Sequence, residues 1–308
     1  MDFKLLLIKI VQVLKSKSKR TTLLARLGFY NNMGDEEYLK MQFKNVFGYD
    51  LDLEKPQTYS EKLQWLKLYD RNPLYTTMVD KAAVKDYVAE KIGEQHIIKT
   101  LGVWDRFDDI DFDALPEQFV LKCTHDSGGL VVCKDKKQLN KFIAKIKINW
   151  GLKTNFYRQS REWPYKDVKP RILAEEYMED SKTEELRDYK FFAFDGEVKA
   201  MFIASERNNK DTETRFDFFD REFNHLPFTN GHPNAGVFPK KPEKFEEMMA
   251  LAEKLSVGIP QARIDFYEVD GRVYFGEITF FHWGGMMPFE PHEWDEKFGE
   301  WIKIPNIE

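Results

Sequence analysis

Apolar and polar positions alternate with a period of two from Arg263 to Thr279, with Ile264, Phe266, Val273 and Phe275 on one side, and predict a two-stranded hairpin turning near Asp270-Gly271. Asp265 and Glu277 stand among these apolar neighbours. A two-residue loop at Asp270-Gly271 sends the two carboxylates to opposite faces. A three-residue loop over Val269, Asp270 and Gly271, with glycine in the left-handed position, sets Glu268 opposite Arg272 and returns both carboxylates to one face, and this is the turn expected. Two carboxylates on rigid adjacent strands, with Arg263 two residues before the first, suit Mg2+ and the phosphates that accompany it. The competing reading is a structural ion pair of Asp265 with Arg263 or Arg272.

Elsewhere the period is first helical and then mixed. Asp35 to Phe47 predicts a helix ended by Gly48; Thr58-Tyr59-Ser60-Glu61 predicts a capping box opening the next; Thr77 to Ile92 predicts a third, stopped at Gly93. After Pro116 the pattern becomes strand (Phe119 to Cys123), loop (Thr124 to Gly129), strand (Leu130 to Cys133) and helix (Asp135 towards Trp150). Strands follow at Arg171 to Met178, Tyr189 to Phe194 and Glu197 to Ala204, with Asp195-Gly196 as a turn, then a strand near Phe216 and a helix opened by Pro242. The order defines an α+β chain of three lobes: a helical lobe over 1–115, a small lid lobe with a phosphate loop over 116–174, and a larger lobe with the carboxylate hairpin over 175–308.

A chain of 308 residues can bury a substantial core, and a formal charge of −5 argues against a general nucleic-acid binder. Cys123 and Cys133 are the only cysteines, too few for a disulfide scaffold and without metal-ligand spacing, so a reducing cytoplasm is the simpler setting. No run reaches the roughly 20 apolar residues of a membrane span, and the expectation is a soluble protein. Within residues 1–20, Phe3, Leu6, Leu7, Ile10, Val11 and Leu14 form a helical stripe among lysines, which suits either peripheral contact with the inner face of a membrane or docking on the protein itself.

Three further groups carry chemistry. The strand ending at Lys122 runs into Thr124-His125-Asp126-Ser127-Gly128-Gly129, a short glycine-ended loop whose backbone N–H groups can close over phosphate oxygens while the lysine adds a charge; the Gly-Lys-Ser/Thr ending of a Walker loop is missing. Leu173 to Met178, with Glu175 and Glu176, can offer free backbone groups to an adenine ring. Asp188 and Lys190 share one strand face, where an acid meets ribose hydroxyls and a lysine meets phosphate. Arg187, Arg207 and His125 are additional candidates for holding an anionic substrate.

The ordered set of Asp80-Lys81, Lys122 with its Ser-Gly-Gly loop, the Glu175 to Met178 hinge, Arg263-x-Asp265 and Glu277-x-Thr279 resembles the ATP-grasp superfamily. The phrases Asp-Lys-Ala-Ala-Val-Lys, Glu-Lys-Leu-Gln-Trp-Leu-Lys and Phe-Gly-Glu-Ile-Thr-Phe are similar to its teichuronopeptide-biosynthesis, TupA-like branch, from about Tyr30 to the C-terminus. The resemblance implies ATP held between two lobes. Lys81, Lys122, His125, Ser127, Gly128 and Gly129 would face its phosphates; Glu175, Glu176 and Met178 its adenine; Asp188 and Lys190 its ribose and phosphates. Asp265 and Glu277 would bind magnesium, with Thr279 where many members carry asparagine. Arg263 and Lys122 would assist phosphoryl transfer, and His282, Gly284 and Gly285 would contact the acceptor.

The activity so implied is ADP-forming ligation of a carboxylate to an amine through an acyl phosphate, in surface-polysaccharide or peptide-polymer assembly such as capsule. The carboxylate would be a small molecule or glycan-linked. Alternatives are an ATP-dependent phosphotransferase acting on a sugar hydroxyl, a glycosyltransferase of the same kind of pathway, and, last, a non-catalytic scaffold.

Overall fold

In chain order the helices of the computed structural model are α1 (Lys17–Arg26), α2 (Asp35–Phe47), α3 (Tyr59–Tyr69), α4 (Leu74–Val79), α5 (Val84–Ile92), α6 (Lys141–Lys153), α7 (Tyr157–Ser160), α8 (Phe245–Ser256) and α9 (Glu293–Trp301). The structure describes residues 16–126, 128–181, 186–207 and 213–305. The stripe expected over residues 1–20 therefore lies almost wholly outside the described residues, as does Ser127. The chain divides into two compact units, each assembled from separated stretches: residues 1–71, 155–166 and 281–308 form one, and residues 72–154 and 167–280 the other.

In the first unit, α2 ends where Gly48 takes a left-handed φ of 82°, and α3 opens with the expected capping box of Thr58 and Glu61. α3 is buried along much of its length because it carries polar side chains that find partners inside. Ser60 donates to the buried Asp295 carboxylate at the start of α9, and Gln64 and Lys67 reach the turn after Phe281. The Lys67 Nζ is enclosed and donates to the carbonyls of Ser160 and Gly284 and to Gln64 Oε1. Burial lowers its pKa to about 8, against the pull of Glu162.

The second unit holds two antiparallel sheets. The smaller has the order β1-β4-β2-β3, with β1 (Thr100–Trp104), β2 (Phe119–Cys123), β3 (Leu130–Cys133) and β4 (Ile172–Glu176). The larger has the order β11-β10-β5-β6-β7-β8. Its strands are β5 (Asp188–Phe194), β6 (Glu197–Ser205), β7 (Arg215–Phe219), β8 (His225–Leu226), β10 (Ala262–Val269) and β11 (Arg272–Thr279), and a short β9 (Thr229–Asn230) follows β8 in the chain. β5 to β6 turns at Asp195-Gly196, both at positive φ, as the sequence predicts. Phe191, Phe266 and Phe245 pack ring against ring where α8 covers the larger sheet, and α6 covers the smaller one with Ala144 and Ile148. Cys123 and Cys133 are free thiols in β2 and β3, and burial pushes the Cys123 thiol up to about 12.

Two predicted elements differ. The helix expected over Thr77 to Ile92 is two helices, because the Asp80 carboxylate accepts from the N–H groups of Ala82 and Ala83 and takes an ion pair from Arg171 at 2.8 Å, which stabilises an extended residue at Asp80. β1 arises inside the segment expected to be helical and pairs with β4.

The hairpin turn also differs from expectation. Val269 pairs with Arg272 across a two-residue loop, Asp270 at φ 49° and Gly271 at φ 75°, so Glu268 faces Val273 rather than Arg272. Such a turn alone would separate the carboxylates. A register shift after Phe266↔Phe275 inserts Gly276 as an extra residue and brings Asp265 opposite Glu277. The shared face was expected correctly and its cause was not. A Cβ at Gly276 would stand 3.0 Å from the Asp265 carbonyl oxygen, so Gly276→Val is expected to lower stability by about 1–3 kcal/mol and to weaken any ligand bound through Glu277. Chemical denaturation of the two proteins measures this; an unchanged midpoint would show that the bulge tolerates a side chain.

Candidate functional site

Strand register places the chemistry. Glu277, Asp265 and Lys190 are successive partners across β11, β10 and β5, and Tyr267 faces Asp188 in the neighbouring row. These residues line a cavity in the second unit whose opposite wall is the smaller sheet, through Lys122 and Cys123 of β2 and Glu175 of β4. Lys81 and Lys85 enter from the turn before α5 and from α5 itself, and Asp126, Gly129 and Leu130 close the loop side.

The centre of the larger-sheet wall is an ion cluster. Arg263 grips Asp265 with two parallel bonds, Nε to Oδ1 at 2.7 Å and Nη2 to Oδ2 at 2.8 Å, and its Nη2 also donates to Glu277 Oε1 and Thr279 Oγ1 at 3.0 Å. Lys190 donates to Asp265 and lies 3.4 Å from Asp188, which Arg207 also pairs. Asp265 is 1% exposed, and burial raises its pKa against the attraction of Arg263 and Lys190. The Glu277 side chain, sunk in the protein, keeps 41% exposure because it looks into the cavity. Burial opposes its charge too, but Arg263, Lys190 and Lys81 prevail and hold it down at about 2. The ion pair of Asp265 with Arg263 and the shared carboxylate face are thus both present.

The opposite wall is organised by Glu175. Its carboxylate meets Lys85 at 2.6 Å and Lys122 at 2.5 Å, holding two ammonium groups side by side. Burial opposes the Glu175 charge, and the two lysines outweigh it to lower the pKa. Burial likewise lowers that of Lys85, against Glu175. Glu175 accordingly serves the lysines with its side chain, whereas Glu176 is exposed, and its backbone N–H goes to Lys99 O at 3.0 Å. Met178 is partly buried beyond the end of β4.

In the described part of the loop after β2, Asp126 collects the contacts. The Gly129 N–H donates to the Asp126 carboxylate at 3.1 Å, and Lys81 Nζ donates to the Asp126 carbonyl. Gly129 is there for a close approach: a Cβ would lie 2.4 Å from Cys123 Sγ. Gly128 is exposed. His125 is buried, donates from Nε2 to Thr154 O at 3.0 Å, and is pushed towards its neutral form by burial; it is not among the cavity-lining residues.

His282, Gly284 and Gly285 belong to the first unit and are buried there. Trp283, Gly284 and Gly285 all have positive φ, between 52° and 63°, and the Gly284 and Gly285 carbonyls accept from Lys67 and Gln64.

Sequence reasoning missed Lys85, Asp126 and Tyr267 as cavity residues. Lys85 was legible in part, since it stands one helical turn after Lys81; Tyr267 sits two residues beyond Asp265 on the same strand face.

Among the described residues no group of three or more His, Cys, Asp or Glu could by itself hold a metal ion. Two carboxylates facing a cavity lined by Lys81, Lys85, Lys122 and Lys190 suit magnesium, which takes few protein ligands when phosphate oxygens complete its shell.

An α+β fold with an antiparallel carboxylate hairpin opposite a lysine-bearing small sheet defines the ATP-grasp class. The sequence pattern described as TupA-like ATPgrasp matches residues 61–303, and the chain belongs to that family. No curated protein matches it. Among solved structures it is similar to a D-alanine–D-alanine ligase from Bacillus anthracis complexed with ATP (15% identity, TM-score 0.40, 66% of this chain and 55% of that one). It is similar as well to the ligase of that name from Helicobacter pylori (15%, 0.39, 80% and 70%). A third is the ATP-grasp ligase PsnB complexed with a minimal precursor, Mg and ADP (10%, 0.39, 72% and 57%). The chain thus spans little more than half of the Bacillus anthracis enzyme.

The Glu277 carboxyl ordinarily titrates at 4.5 and in the fold at about 2, so between these values the unfolded chain binds more protons and this group withdraws stability as pH falls. Glu277→Gln is expected to show a shallower decline of Tm with acid below pH 4.5 than the parent protein; parallel curves would mean that its carboxylate is not held by Arg263, Lys190 and Lys81.

Proposed function

We propose that the protein is an ATP-dependent, ADP-forming carboxylate–amine ligase. The observation that carries this reading is the facing of Asp265 and Glu277, paired across β10 and β11, towards the lysines of the same cavity. A nucleotide triphosphate is the ligand that needs both: its phosphates call for ammonium groups, and the magnesium they bring calls for one or two carboxylates.

In this proposal Lys81, Lys85, Lys122 and Lys190 neutralise the phosphates. Arg263, fixed by two bonds to Asp265, is the guanidinium proposed to assist phosphoryl transfer. Bound magnesium would neutralise phosphate charge beside Asp265 and Glu277, with Thr279 nearby. A carboxylate oxygen attacks the γ-phosphorus, the bond to the β–γ bridging oxygen breaks and ADP leaves. An amine then attacks the acyl carbon, phosphate departs with the carbon–oxygen electron pair, and the amine loses a proton to give the amide. The chain's own contribution is electrostatic and positional.

The end of β4, from Glu175 to Met178, is the proposed adenine side, and Asp188 the proposed ribose contact. His282, Gly284 and Gly285 are proposed for the acceptor. The teichuronopeptide-type branch supports a carboxylate on a surface polysaccharide or peptide polymer and a cytoplasmic place of work, since ATP is supplied there. Among the described residues no helix is long and apolar enough to cross a membrane.

Calorimetric titration with ATP and magnesium, beside UDP-sugars, tests the nucleotide, and ADP release with panels of amines and carboxylates tests the reaction. Binding of ATP is expected, with ADP release falling about a hundredfold or more in Asp265→Asn and Glu277→Gln while their folds persist. Full activity in Glu277→Gln would remove its metal role. Binding of UDP-sugars with none of ATP would replace ligation by glycosyl transfer, and a stable phosphorylated sugar formed without amine would replace it by phosphotransfer.

A further inference from the structure

Helix α6 has two apolar faces. Ala144, Ile148 and Gly151 point into the core of the smaller sheet, with Leu152 packed against it. Phe142, Ile143, Ile146 and Trp150 occupy the opposite side and are 73%, 59%, 55% and 78% exposed. At 100° per residue these four fall within one stripe, centred opposite the buried face. Scattered exposed apolar residues are ordinary; four large ones in a row on one helix form an interaction surface.

The charges of the helix indicate what covers it. Lys-Phe-Ile-Ala-Lys-Ile-Lys-Ile-Asn-Trp-Gly-Leu-Lys contains Lys141, Lys145, Lys147 and Lys153 and no acidic residue, in a chain whose formal charge is −5. At the same spacing Lys145 and Lys147 flank the stripe, Lys145 meeting Asp108 at 2.7 Å, whereas Lys153 falls within it and Lys141 turns to the core side over the Phe112 ring at 4.6 Å. A convex helix with protruding aromatic and branched side chains, bordered by lysines, has the chemistry of a segment lying in a lipid headgroup layer.

We propose that α6 docks the protein on an anionic lipid bilayer, with Phe142, Ile146 and Trp150 entering the headgroup–acyl boundary and the bordering lysines meeting lipid phosphates. These residues are other than those of the stripe read in residues 1–20, and the proposal does not depend on the reaction. It would keep the enzyme beside a membrane-held substrate.

The test is flotation of the full chain with vesicles of phosphatidylcholine alone and of phosphatidylcholine mixed with phosphatidylglycerol, at low and high salt. The parent protein is expected to float with the anionic vesicles and to be released by salt. The triple variant Phe142→Gln, Ile146→Gln, Trp150→Gln is expected to bind at least about tenfold more weakly, with its melting temperature and nucleotide binding retained. As a second readout, brominated lipid should quench part of the parent's tryptophan fluorescence, and Trp150→Phe should still bind while losing that part. A parent protein that stays off anionic vesicles overturns the proposal. So does a triple variant that binds like the parent, which would place the contact elsewhere, or a parent dimer broken by the triple variant without vesicle binding, which would make the face a protein interface. Undiminished quenching in bound Trp150→Phe would also overturn it.

Discussion

The Asp265 carboxylate, almost without solvent on β10, requires compensation, and much of the larger sheet's cavity wall follows from how it is compensated. A buried carboxylate left alone would take up a proton or unfold its surroundings. Arg263 supplies a fixed bidentate partner from the same strand, two residues away on the same face, and Lys190 supplies a second cation from the adjacent strand. Because Arg263 also reaches Glu277 and Thr279, the cluster ties β10 to β11 through side chains as well as through the backbone ladder. Such a set costs desolvation, and its return is orientation: each group is held by at least one of the others before any ligand arrives.

The same logic distinguishes the two cavity walls. Asp265 is buried and saturated by cations, whereas Glu277 shares Arg263 but faces the cavity, so Glu277 is the carboxylate better placed to exchange partners. Across from it, one buried Glu175 keeps two ammonium groups close together despite their mutual repulsion. A highly charged anion entering between the walls would meet cations whose positions are already set, and would require little rearrangement of the protein. That preorganisation is what the proposed ligase asks of its site.

Much of this was legible from pattern, and the failures have identifiable physical causes. Alternation located the Asp265 and Glu277 strands, and the capping box at Thr58 and the stop at Gly48 fell where the structure has them. The hairpin loop was misread because parity was assigned to the turn, when Gly276 supplies it as a bulge; a glycine inside an alternating strand is the signal that was available. The break at Asp80 has no glycine or proline to announce it and depends on Arg171, distant in sequence. Lys85 was passed over because a lysine on an amphipathic helix ordinarily faces water, and it is turned inward by partners on other parts of the chain: Glu175 on β4, the Ile98 carbonyl and the Thr100 hydroxyl.

The loop between β2 and β3 shows why local motifs are weaker evidence than register. Ser-Gly-Gly suggests free amides for phosphate, yet Gly129 directs its N–H to Asp126 and is small because Cys123 and Asp126 leave no room for a side chain. Glycine was diagnostic of packing there, and of a bulge at Gly276. In both places the residue type was readable from sequence while its purpose was set by atoms from other strands and helices. The carboxylate pair is more informative because two strands must cooperate to build it: alternation fixes each residue's face, and the cross-strand partner fixes what that face is for. The reading of function therefore rests on the row of Glu277, Asp265 and Lys190, where three strands agree, and gains little from any single loop.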